Sequence, residues 1–373
     1  MLLLKQPCIN KNRRIVVGLS KAFKHTRRHN TAILDLLVNT KIGTNGAQYT
    51  HLHTPLKIGL LHQPHFFTIY RKEKAIVNFT ICERPFYVQE RLIDTFYVRY
   101  FAFDKNFQTQ SKANKKGKPS PFQQYFSKLL STSNLQVAAP AYGPSLYWAI
   151  IDPENIRSLQ VAERYQFESI AKIKTWAFSR IYLKKDKKVT RILAHEHDEV
   201  WACIQNFYRS YSGLSKVHLF EANHYFVYRE DGKIVAGIQA NPVAWKIHSL
   251  PGKNGKKLVK ILPYLPFISR LMHPNKFNFL ATEGIFWLPN HADKVKKLLQ
   301  GVLALQQCHT MMLWTDAKDE RLNKQIAVCK PGLLQKFKAD QEVDLWMKFN
   351  HISPDLKSSI KNALQYISGF DTT

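Results

Sequence analysis

The sequence predicts two tandem domains of the α/β (α+β) class, each a mixed sheet with helices packed on it. Three observations point there. The chain has 373 residues, more than one hydrophobic core usually serves at roughly 150 residues per domain. Helical and strand-like periods alternate along it, which calls for sheets covered by helices. The same order of elements also occurs twice, and internal repetition is a strong architectural signal.

The first copy opens with an amphipathic helical pattern over residues 30–39. A hairpin follows in FTIYRKEKAIVNFTI (67–81), where two apolar, β-branched runs flank a charged turn. Then come the strand FYVRYFAF (96–103), a helix over 121–130, the strand LYWAII (146–151), a helix over 155–165 and the strand WAFSRIYL (176–183). The second copy repeats the order: a helix over 198–211, the hairpin YFVYREDGKIVAGIQ (225–239), the strand FLATEGIFWL (279–288), a helix over 292–306, the strand TMMLWT (310–315), a helix over 319–328 and the strand EVDLWMKF (342–349). The hairpins align at an offset of 158 residues, pairing Tyr70 with Tyr228, Arg71 with Arg229, Ile76 with Ile234 and Val77 with Val235. The lysine-rich KKDKKV (184–189) reads as the connector, so the domains are 1–188 and 189–373. Two stretches break the pattern. One is the basic loop at 108–121; the other is a Pro- and Gly-containing insertion at 250–276, with a short helix around 256–262.

Composition narrows the function classes. Hydrophobic residues make up 45% and aromatics 12%, so a disordered chain is excluded. No window approaches the ~18 apolar residues of a membrane span. The start offers only three leucines before Lys5, short of a secretory core. Five widely spaced cysteines without a C-x-x-C fit reduced thiols. A cytoplasmic location follows as the expectation. The formal charge is +28, from 55 basic and 27 acidic residues, which favours anionic partners such as nucleic acid, phosphorylated cofactors or lipid headgroups. The basic residues are spread over the chain, which also fits a diffuse solvated surface. No lysine-rich amphipathic helix stands out, which argues against a membrane-surface role. No metal is expected. In HEHDE (195–199) the second histidine comes too early for one helical face, and the stretch reads as a polar entry turn with Asp198 capping the next helix.

The stretch ENIRSLQVAERYQF (154–167) carries more. Asn155 is a favoured N-cap, Glu154 adds charge at the positive helix end, and Ser158 lies on the same face as Asn155. With LYWAIIDPE before it, this stretch resembles the late helix of the GNAT-type acyl-CoA N-acyltransferase superfamily, with Asn155, Ser158, Val161 and Phe167 in register. FYVRYFAF resembles that family's central strand, and two such domains in one chain look like N-myristoyltransferases or Fem-type aminoacyltransferases.

The resemblance implies a V-shaped opening beside the central strand, with Tyr100, Phe101 and Ala102 holding an acyl-CoA, and Asn155 and Ser158 beside the cofactor arm. It assigns the phosphate loop to Lys115, Lys116 and Gly117, where one glycine of the family's two is present. Two departures stand out: the family's tyrosine falls at Ala162 and its glycine at Gln166. Tyr165 lies about 300° round the helix from Ala162, at ~100° per residue. FWLPNHADKVKKLL has no glycine loop, so the first half is expected to keep the cofactor and the second to shape the acceptor side.

Glu283, a lone carboxylate in an apolar strand, is the candidate base for an amine, with Glu83 at the end of a first-copy strand as the second candidate. Arg99, amid FYVRYFAF, suits a carboxylate or phosphate, or a structural pair. The expected function is transfer of an acyl group from acetyl-CoA or a longer acyl-CoA to an unknown amine acceptor. The alternatives are a Fem-like transferase using aminoacyl-tRNA, or an inactive fold binding nucleic acid or another polyanion.

Overall fold

Apolar, largely buried runs on either side of a charged turn make the two hairpins. The computed structural model describes residues 23–43, 47–88, 90–104, 119–337 and 342–373. The first half contains β1 (Phe23–Thr26), α1 (Thr31–Val38), β2 (Gln48–His51), α2 (Thr54–Gly59), β3 (Pro64–Arg71), β4 (Lys74–Glu83), β5 (Phe86–Val88), β6 (Arg91–Ile93), β7 (Thr95–Phe103), α3 (Pro121–Leu129), β8 (Ser145–Ile151), α4 (Ile156–Arg164) and β9 (Glu168–Ser179). The second contains β10 (Val189–Arg191), α5 (His197–Phe207), β11 (Tyr211–Leu214), β12 (Tyr225–Glu230), β13 (Lys233–Ser249), α6 (Gly255–Ile261), α7 (Pro266–Leu271), β14 (Phe277–Trp287), α8 (Lys294–Leu305), β15 (Thr310–Asp316), α9 (Glu320–Val328), α10 (Leu333–Phe337), β16 (Val343–Asn350), α11 (Pro354–Asn362), β17 (Leu364–Gln365) and α12 (Gly369–Thr372).

Thirteen strands form one continuous sheet, in the order β1-β3-β4-β7-β8-β16-β9-β15-β14-β13-β12-β10, with β2 paired to β13. The two halves exchange their closing strands at its centre. β16 lies between β8 and β9, pairing Leu345 with Ile150 on one side and with Ala171 on the other. β9 continues past it onto β15, from Ile173 opposite Asp316 to Ser179 opposite Thr310. This double duty explains why β9 begins at Glu168, eight residues before the strand expected at Trp176. A second, four-stranded sheet, β17-β11-β5-β6, again mixes strands of both halves.

Each hairpin carries one bulge, between Ile69 and Tyr70 and between Tyr228 and Arg229. Matching these bulges gives an offset of 159, one more than the four sequence identities suggest. A one-residue shift turns every side chain to the other face of a strand. The identities therefore do not mark equivalent places, and the element order is the sounder evidence of likeness between the halves. Helix α5 starts at His197, so Asp198 sits in its first turn instead of capping it. The turn before it is closed by Glu196, whose carboxylate accepts from Leu193 N (2.8 Å) and pairs with Arg229 (2.6 Å).

Candidate active site

β7 and β8 run parallel and then part. Only Thr95–Phe96–Tyr97 pair with Leu146–Tyr147–Trp148, so β7 beyond Tyr97 opens away from β8. The pairing of β7 with β4 slips there as well. Thr80 faces Arg99 and Asn78 faces Ala102, which leaves Tyr100 and Phe101 together opposite Phe79. Tyr100 takes a left-handed φ of 51°. Fully buried Asn78 holds this bulge by donating to Tyr100 O (3.3 Å). α4 begins at the opened end, shortly after the C-terminus of β8, and Phe122 in the first turn of α3 packs on Phe79 opposite the β7 bulge (5.9 Å between ring centres). Ser120 and Gln123 form a reciprocal cap on α3, and Asn155 Oδ1 accepts from Ser158 N (3.2 Å) on α4.

The second half repeats the device and then fills it. β14 and β15 pair only at Leu280–Ala281 with Met311–Met312. Gln239 faces Glu283 and Gly237 faces Phe286, so Gly284 and Ile285 form the bulge. Gly284 has φ 59°, and Tyr225 Oη donates to its carbonyl (2.5 Å). Here the opening is occupied by the chain itself. Tyr366 N donates to Ser212 O, and a Cβ on Gly369 would lie 2.3 Å from Thr282 O. By position in the two bulges, Arg99 in β7 corresponds to Glu283 in β14.

Residues 368–373 tie these two positions together. Ser368 Oγ donates to Glu283 Oε2 (2.5 Å), and Asn241 Nδ2 reaches Oε1 (3.5 Å). Arg84, buried beside Ser368, donates through Nε to Asp371 Oδ2 (3.0 Å) and through Nη1 to Val217 O (2.7 Å). Asp371 Oδ1 lies 3.8 Å from Arg99 Nη1, and Tyr97 Oη donates to Asp371 O (2.7 Å). Arg99 Nη2 donates to Thr373 O (3.0 Å), and its guanidinium lies over the Tyr100 ring (4.4 Å). Lys57 of α2 donates to Thr373 Oγ1 (2.5 Å). A cavity of about 30 Å³ touches this cluster at Arg84, Ser368 and Asp371 and is walled by Trp148, Leu345 and Met347.

Burial sets the protonation here. Glu283 is 4% exposed, and burial pushes its carboxyl from 4.5 up to about 7, against the opposing hydrogen bond from Ser368. Burial and then the Arg99 charge push the Lys57 ammonium well below its usual range. The site thus joins a carboxyl poised near neutrality to a lysine that gives up its proton readily.

The sequence candidates fall into three groups. Glu283 and Arg99 belong to the cluster, while Tyr100, Phe101 and Ala102 line the β7 bulge beside it. Asn155 and Ser158 stand at the opened end of β8. Glu83 is engaged elsewhere, paired with Arg27 and His65 at 3.0 Å each. Lys115, Lys116 and Gly117 lie outside the described residues. Ala162 is buried, and Tyr165 packs its ring on Phe126 of α3 with its hydroxyl at Gln123 O (3.4 Å). Gln166 takes φ 64°, a left-handed turn that favours glycine. Lys57, Arg84, Ser368 and Asp371 escaped the sequence reading, because no local motif marks them.

Solved structures of Saccharomyces cerevisiae N-myristoyltransferase are similar to this chain in fold. One with bound myristoyl-CoA matches at a TM-score of 0.54 and 10% identity, over 92% of this chain and 84% of that one. Another, with myristoyl-CoA and inhibitors, matches at 0.53 and 12%, over 92% and 85%. The chain has the N-myristoyltransferase fold. A GCN5-related N-acetyltransferase from Sphaerobacter thermophilus aligns more loosely, at a TM-score of 0.43 and 11% identity over 77% of this chain and 80% of that one. No family model matches the sequence, and no curated protein matches it.

Proposed function

We propose that this protein transfers an acyl group from an acyl-CoA to an amine by direct attack, forming the amide and releasing the CoA thiol. The observation that carries the proposal is the buried Glu283, raised to about 7 and linked through Ser368 to the cluster at the opened end of β7. A carboxylate of that basicity is suited to take the proton from an attacking ammonium or amine near neutral pH. The freed backbone edge at Tyr100, Phe101 and Ala102 offers N–H groups to a thioester carbonyl. The N-termini of α3 and α4, with Asn155 and Ser158, favour the anionic arm of the cofactor, and Lys115, Lys116 and Gly117 are proposed to meet its phosphates. The filled opening of the second half supports one cofactor site per chain, in residues 1–188, with residues 189–373 forming the acceptor side.

The test is calorimetric titration of acetyl-CoA and a long-chain acyl-CoA into the full chain. Saturable binding at one site per chain is expected, weakened roughly tenfold by Lys115→Ala/Lys116→Ala if both lysines contact phosphate. The preferred chain length then names the donor. Failure of both donors to bind at high micromolar concentration overturns the proposal.

A further inference from the structure

The segment joining β13 to β14 turns apolar side chains outward. Leu258 and Ile261 lie three apart on one face of α6, Tyr264 and Leu265 follow in the next turn, and Phe267 begins α7. Tyr264 is 83% exposed and Phe267 56%. The underside of the segment is anchored. Leu262 and Leu271 are buried, and Thr310 Oγ1 donates to Leu271 O (2.8 Å). Gly255 rests so closely on the preceding turn that a Cβ would lie 1.7 Å from Leu250 O. The apolar side chains therefore project from a fixed platform.

Charge surrounds them. Residues 232–282 hold no Asp or Glu. Lys253, Lys256, Lys257, Lys260, Arg270 and Lys276 are all exposed within the platform. We propose that this platform docks the protein on the surface of an anionic lipid bilayer. Leu258, Ile261 and Phe267 would enter the headgroup–acyl boundary with Tyr264 at headgroup depth, and the exposed lysines and Arg270 would meet the lipid phosphates and carboxylates. Basic residues alone would serve a nucleic acid, which has no use for the aliphatic face. A second copy of the chain would bring six positive charges against six. The platform is built from two short helices and a turn, so no single helical period reveals it, which is why the sequence argued against a membrane surface. It lies outside the Glu283 cluster and stands independently of the proposed reaction. It implies attachment to one face only, and no described helix is long and apolar enough to cross a membrane.

The test is flotation of the full chain with vesicles of phosphatidylcholine alone and of phosphatidylcholine mixed with phosphatidylserine, at low and at physiological salt. Binding is expected to the mixed vesicles only and to weaken as salt rises. Tyr264→Ser/Phe267→Ser and, separately, Lys256→Glu/Lys257→Glu should each weaken it by about tenfold. All four positions are exposed, so melting temperature and acyl-CoA titration should stay as in the parent chain. Three results would overturn the proposal: no flotation with mixed vesicles, undiminished binding by both double variants, or a sedimenting dimer that Tyr264→Ser/Phe267→Ser dissolves.

Discussion

Glu283 sits where ionisation is costly, and that cost governs both reactivity and stability. If it is the base, kcat/KM should climb with pH and level off above an apparent pKa near 7, set by the raised carboxyl. Glu283→Gln should remove that limb and lower kcat by about 10²–10⁴, leaving acyl-CoA binding in place. A pH–rate profile that keeps its rise in the variant would assign the base elsewhere. Stability gives a second readout. In the unfolded chain this carboxyl ionises at about 4.5, and in the folded protein at about 7. Between those values the folded state holds the extra proton, so stability falls as pH rises through the interval, by about 3 kcal/mol in all. Glu283→Gln should therefore raise the melting temperature at pH 8 and change it little near pH 4. Equal effects at both would mean the carboxyl is not perturbed. Glu283 was legible because FLATEGIFWL contains one carboxylate in an apolar run. Its partners were not: Ser368 is 85 residues away, and Asp371 lies 287 residues from Arg84. Nothing local could announce those contacts.

The paired bulges show how short elements fix the positions of reacting groups. Asn78 in the first half and Tyr225 in the second each donate to the carbonyl of the displaced residue, Tyr100 or Gly284. Tyr225 can cross the sheet only because Gly237 has no side chain, since a Cβ there would stand 2.8 Å from Tyr225 Cε1 and 2.6 Å from Phe286 Cε1. Gly237→Ala should cost about 1–3 kcal/mol by overpacking, and should lower kcat by moving the residue next to Glu283. Urea unfolding combined with steady-state kinetics would separate the two effects; a variant normal in both would show that the contact relaxes freely. The strands that carry these bulges could be read from their apolar, β-branched and aromatic runs. The bulges could not, because a slipped register leaves no mark on a residue's type. The matched tyrosines, Tyr70 and Tyr228, even pointed to an offset one residue short.

Across the whole molecule, the decisive feature is the exchange of closing strands. β8 and β9 belong to the first half but face β16, which comes from the second. Residues 1–188 made alone should therefore lack a central strand, expose two apolar edges and aggregate or remain partly unfolded. The intact chain should melt in one transition seen alike by probes in either half. A soluble, cooperatively folded fragment with native-like circular dichroism would show that the exchange adds little. The twofold order of helices and strands was visible in the sequence, whereas the exchange was not, because the residue types of a strand do not say which neighbour it pairs with. The exchange also bears on how the protein is made. β8 leaves the ribosome some 200 residues before β16, which at roughly 5–20 residues per second is a wait of roughly 10–40 s. Throughout that interval the nascent chain displays the bare edge of β8, a surface that invites a chaperone or a neighbouring polysome, and the sheet closes only once β16 has emerged.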